Sequence, residues 1–109
     1  MVNRQAQPDV SNARRLRVGL VGSGKMGRHH LKAVEASGLA DIVGVADPEA
    51  DPAELAAILP ADAIVVTSLD ALIERARPDV VHIVTPPGSH ATLAMTAIRG
   101  GCHVYVEKP

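Results

Sequence analysis

In the run GLVGSGKMGRHH, residues 19–30, two phosphate-binding loops overlap. Counted from Gly19 it reads Gly-x4-Gly24-Lys25 followed by Met26, a triphosphate loop; counted from Gly22 it reads Gly22-x-Gly24-x-x-Gly27, the dinucleotide fingerprint. A triphosphate loop needs a hydroxyl after its lysine to ligate Mg2+, and Met26 has none. Its first glycine must also lie in the loop, whereas Gly19 falls inside the apolar run LRVGLV and is read as a close-packing residue of a strand. The second parse meets its context. Gly22 closes the strand in a tight turn, Gly24 lets the backbone approach a pyrophosphate, and Gly27 lets the following helix pack on the strand. The first amides of that helix and the positive end of its dipole then face the phosphates.

The rest of the chain has the material for such a fold. It has 109 residues, 47% of them apolar, and a formal net charge of -1, which suits a single domain with a buried core. Tyr105 is its one aromatic residue, so the core is built from Val, Ile, Leu and Ala, as in a buried parallel sheet. Near-neutral charge and the lack of stacking aromatics argue against nucleic acid as a partner. No apolar run approaches the roughly 20 residues of a membrane span. The single cysteine, Cys102, allows neither a disulfide framework nor a thiolate metal cage, and it is read as a small apolar filler in a reducing, cytoplasmic setting. Residues 1–15, polar and lacking an apolar signal core, are expected to form a flexible tail ahead of a domain spanning 16–109.

From Leu16 onward, short β-branched runs alternate with Ala-rich segments. Strands are expected over residues 16–21, 40–47, 64–67, 79–85 and 103–107. Helices are expected over 25–37, ended by Gly38; 51–59, with Asp51 as N-cap and Pro52 in the first helical position; 69–77, capped by Ser68 and stopped by Pro78; and 90–100. Strand-helix alternation with right-handed crossovers gives an α/β, Rossmann-type, doubly wound parallel sheet of order 3-2-1-4-5. Ligands bind such sheets at the carboxyl ends of the strands where the order reverses, which sets residues 22–27 opposite 85–90.

Asp47 ends the second strand, twenty residues beyond Gly27, where a carboxylate can accept the ribose hydroxyls of an adenosine. The segment DPEADPAE, residues 47–54, carries Asp47, Glu49, Asp51 and Glu54 and no basic residue. A 2'-phosphate there meets like charges without a cation, so NAD is expected over NADP.

GSGKMGRHH, VADP, TPPGSH and the terminal VEKP, taken in this order and spacing, resemble the N-terminal domain of the Gfo/Idh/MocA oxidoreductases over residues 16–109. The resemblance implies a cofactor site made of Gly22, Ser23, Gly24, Lys25, Met26, Gly27, Asp47, Thr85, Pro86, Pro87, His90 and Glu107. It gives Glu107 a contact with the nicotinamide ribose and sets Lys108 against the reacting hydroxyl or carbonyl as the catalytic residue. An ammonium group there stabilises the charge that changes on the substrate oxygen as hydride moves. His90 lines the cleft or caps its helix, and both readings stay open. His30 also matches the family pattern and is read as packing, and His82 as a hydrogen-bonded, buried side chain in a central strand. His29 and His30, adjacent on a helix, point apart and make a poor metal pair, and no metal site is expected.

Members of the family continue through a sixth strand into a substrate domain that completes the proton-transfer apparatus, and they act on sugars, polyols or related alcohols and carbonyls. The chain is therefore expected to be the cofactor-binding part of such an enzyme, inactive alone and belonging to a homo-oligomer when full length. A stand-alone NAD-sensing module without catalysis is the alternative. It explains the fingerprint but leaves Lys108 and TPPGSH without a role.

Overall fold

Alternation of apolar strands and amphipathic segments yields β1 (Leu16–Val21), α1 (Lys25–Ser37), β2 (Ala40–Ala46), α2 (Pro52–Ala56), β3 (Ile64–Val66), α3 (Leu69–Ala76), β4 (Val80–Ile83), α4 (His90–Arg99) and β5 (His103–Val106). The computed structural model describes residues 15–107, without the side chains of Lys25 and Met26. The flexible tail assigned to 1–15 and the catalytic role assigned to Lys108 thus fall, but for Arg15, outside the described residues. Arg15 itself is fastened to the sheet: its guanidinium donates to Asp41 Oδ1 at 2.9 Å and to the carbonyls of Gly38 and Ala40.

The five strands form one sheet of order β3-β2-β1-β4-β5, and every pairing is parallel. Because each parallel crossover carries a helix, both faces are covered. α1 and α2 pack on one face, where Leu31 and Leu55 meet Val18, Leu20, Ile42 and Val45. α3 and α4 pack on the other, where Leu69, Leu72, Ala76 and Ala97 meet Val21, Val66, Val81 and Ile83. Gly19 keeps its expected packing role, for a Cβ there would lie 2.9 Å from Leu72 Cδ2. Cys102 is buried, its thiol donating to the Pro78 carbonyl, and burial followed by the negative charge of Asp79 pushes that thiol up from its ordinary value.

The helix ends are local chemistry. Asp51 Oδ1 accepts the amides of Ala53 and Glu54 at the start of α2, and Ser68 Oγ accepts that of Ala71 at the start of α3. Gly38 ends α1 in the left-handed conformation at φ 71°, and Arg77 does the same for α3 at φ 50°. α2 stops at Ala56 rather than continuing to residue 59. Its inward contact is Leu55, and the following residues turn towards Pro60, which brings the chain to β3. Among the described residues, no helix is long and apolar enough to cross a membrane.

Candidate functional site

The carboxyl ends of β1, β2, β3 and β4 open into a cavity of about 720 Å³. Gly22, Ser23 and Gly24 form one wall, Asp47, Pro48 and Glu49 a second, and residues 67–70 a third. Thr85, Pro86, Ser89, Thr92, Leu93 and Thr96 close it from the β4–α4 side. Loops following the strands meet there because β1 and β4 are neighbours although three helices and two strands separate them in sequence.

Each glycine of the fingerprint meets a different demand. Gly22 has φ 100°, and a Cβ would press on Val84 and Thr85 at 3.2–3.3 Å. A Cβ on Gly27 would lie 2.5 Å from the Gly22 carbonyl oxygen, so α1 can start against β1 only with hydrogen at that position. Gly24, the N-cap of α1, faces open space, with nothing within 4 Å of where its Cβ would stand. No acidic residue occupies the first turn of α1, and among the described residues no side chain caps it. Its amides and dipole are thus free to meet an anion that comes up to Gly24, and the loop fits a pyrophosphate.

Asp47 braces this loop from the tip of β2. Its Oδ2 accepts the Ser23 amide at 2.9 Å and the Ser23 hydroxyl at 2.7 Å, and its Oδ1 accepts the Glu49 amide at 2.9 Å. Partial burial pushes the carboxyl up, but the bonds from Ser23 and Glu49 outweigh it and hold the group below its ordinary value. An ionised carboxylate has about four acceptor positions, so one remains for a ligand hydroxyl.

The TPPGSH segment is a self-braced turn. The Thr85 hydroxyl donates to Ser89 Oγ at 2.7 Å, Ser89 Oγ donates to the Pro86 carbonyl, and Pro87–Ser89 form one 3-10 turn. His90 Nε2 donates to the Thr85 carbonyl at 2.6 Å. His90 therefore ties the start of α4 to the end of β4, and it stands outside the cavity walls together with Pro87, Gly27 and Glu107.

Glu107 lies on the α1 face. His30 Nε2 approaches Glu107 Oε1 at 3.0 Å, and His30 Nδ1 approaches His82 Nδ1 at 3.3 Å. With the carboxylate accepting from Nε2, the Nδ1 of His30 is turned to the Nδ1 of His82. Tyr105 packs on both rings at centroid distances of 5.6 and 5.0 Å. Burial, then the neighbouring His30, lowers the His82 pKa, so the ring stays neutral at pH 7. His30, read as packing, is thus part of a hydrogen-bonded chain joining α1, β4 and the end of β5.

Arg28 was absent from the expected site. Its Nε donates to the Ser23 carbonyl at 3.2 Å, and its guanidinium pairs with Glu54 at the start of α2. Twenty-six residues separate this cation from the acidic segment it joins, so no local pattern announces it. Among the described residues, no group of three His, Cys, Asp or Glu side chains could hold a metal ion.

Residues 16–109 match the model of an oxidoreductase family with an NAD-binding Rossmann fold. Inositol 2-dehydrogenase of Rhizobium meliloti is 40% identical over 94 residues, covering 86% of this chain and 28% of its own length. Two solved structures superpose well. The WlbA dehydrogenase of Bordetella pertussis, in complex with NADH and UDP-GlcNAcA, does so with a TM-score of 0.81 and 30% identity, over 88% of this chain and 29% of its own. Scyllo-inositol dehydrogenase of Lactobacillus casei, with bound NAD(H) and scyllo-inositol, gives 0.76 and 29%, over 88% and 28%. The chain thus spans little more than a quarter of the relatives it matches. Sequence motifs, strand order and these likenesses agree, and the chain belongs to the Gfo/Idh/MocA oxidoreductase family, carrying its NAD-binding Rossmann-fold domain.

Proposed function

We propose that this chain holds NAD for an oxidoreductase that moves hydride between the nicotinamide and a secondary alcohol or carbonyl of a sugar or polyol. The observation that carries the proposal is the Gly22–Ser23–Gly24 loop, open at Gly24 and tied to Asp47 at the mouth of the cavity. When bound, NAD supplies the hydride acceptor or donor. The amides at the start of α1 hold its pyrophosphate, and the Asp47 carboxylate accepts a ribose hydroxyl of its adenosine. Thr85, Pro86 and Ser89 line the cofactor's path towards β5, where Glu107 receives the nicotinamide ribose. Lys108, next in sequence, stabilises the charge on the substrate oxygen and assists its proton transfer.

Four carboxylates over residues 47–54 support NAD over NADP, since a 2'-phosphate there meets negative charge. Titration calorimetry with both cofactors tests this. NAD is expected to bind the more tightly, and Asp47→Asn to weaken it about 10- to 100-fold, the worth of a hydrogen bond to a charged acceptor. Tighter binding of NADP, or an Asp47→Asn variant that keeps full affinity for NAD, would refute the assignment.

A further inference from the structure

We propose that Glu54, by engaging Arg28, sets the cofactor preference of the site: it holds away from the ribose pocket a cation that would otherwise receive a 2'-phosphate. The inference deepens the assignment of NAD above and rests on it.

Ser23 stands between two opposite charges. Its amide and hydroxyl donate to Asp47 Oδ2, and its carbonyl accepts from Arg28 Nε. Arg28, in the first turns of α1, is thus separated only by Ser23 from the carboxylate proposed to face the adenosine ribose. A guanidinium has five donors in a planar fork and binds phosphate in a bidentate manner, so a cation at this place is the chemistry that a 2'-phosphate requires. The guanidinium is instead turned to the Glu54 carboxylate. Glu54 is held for this contact by the α2 cap, because Asp51 Oδ1 accepts its amide and that of Ala53. Pro52, in the first turn, fixes where α2 begins. The two helices thus neutralise a cation beside the loop that could welcome NADP.

The side chains of Arg28 and Glu54 are 39% and 61% exposed. An exposed pair adds little stability, so it can be removed without unfolding the domain. Its function is then separable from its packing.

The test is calorimetric titration of NAD and NADP into the 109-residue chain and its variants. Glu54→Gln removes the charge, and Glu54→Ala also removes the remaining hydrogen bond to Arg28. Both are expected to raise affinity for NADP about five- to tenfold and to leave that for NAD within about twofold. In the double variant Arg28→Ala with Glu54→Ala the gain in NADP affinity should vanish. A gain that survives the loss of Arg28 would show general charge repulsion and overturn the proposal, as would no gain at all. If the parent chain binds neither cofactor, the assignment of NAD falls first and this inference with it.

Discussion

Gly27 shows how much one hydrogen atom decides. A methyl group there would stand 2.5 Å from a backbone carbonyl oxygen that cannot swing aside, since the Gly22 turn is itself bonded to β2 through its amide. Gly27→Ala is therefore expected to push α1 off β1 and cost about 1–3 kcal/mol, as overpacking does. A lower urea midpoint with an unchanged slope is the signature, and an unchanged midpoint would contradict the contact. Glycine spacing alone makes this position readable in the sequence, because a third glycine in that place has one geometric use. Arg28, the next residue, was not readable: its partner Glu54 lies 26 positions on, and a charged residue in a helix has by itself no single meaning.

At the level of elements, alternation of β-branched and Ala-rich segments was enough to order the strands, and local caps were enough to start α2 and α3. What it could not reach were contacts between elements. His30 and Glu107 are 77 residues apart and His30 and His82 are 52 apart, and they meet because β4 and β5 pair in register, with His82 opposite Tyr105. Likewise the sequence leaves His90 open between lining the cleft and capping its helix, and its contact in the fold, a bond to the Thr85 carbonyl that braces the β4–α4 turn, is one the sequence does not announce. The His82 ring has a consequence in acid. Its folded pKa lies below the ordinary value of 6.5, so the unfolded chain takes up a proton more readily. The stability this gives is complete above pH 6.5 and is lost as pH falls through the lower folded value. Denaturant midpoints measured from pH 7.5 down to 5 should decline in the parent chain and decline less in His82→Gln, which keeps a polar side chain without the titration. Equal declines would place the acid sensitivity elsewhere.

Across the whole domain, the two halves of the expected cofactor site stand on different ground. The cavity of about 720 Å³ is walled by the loops that follow β1 to β4, and Gly22, Ser23, Gly24 and Asp47, proposed for the adenosine side, line it. Glu107, proposed for the nicotinamide ribose, is outside those walls and already engaged by His30. Tyr105 beside it is 49% exposed, so the β5 end offers an open surface where the β1–β4 end offers a walled cleft. Affinity follows enclosure, since walls that exclude water make each polar contact count for more. The adenosine diphosphate half should therefore supply most of the binding by this chain. ADP-ribose and NAD are expected to bind within about threefold of each other, and nicotinamide mononucleotide about a hundredfold more weakly. The comparison needs three titrations on one preparation. NAD binding more than about tenfold tighter than ADP-ribose would move the centre of recognition to β5, and would mean that Glu107 leaves His30 when the cofactor arrives.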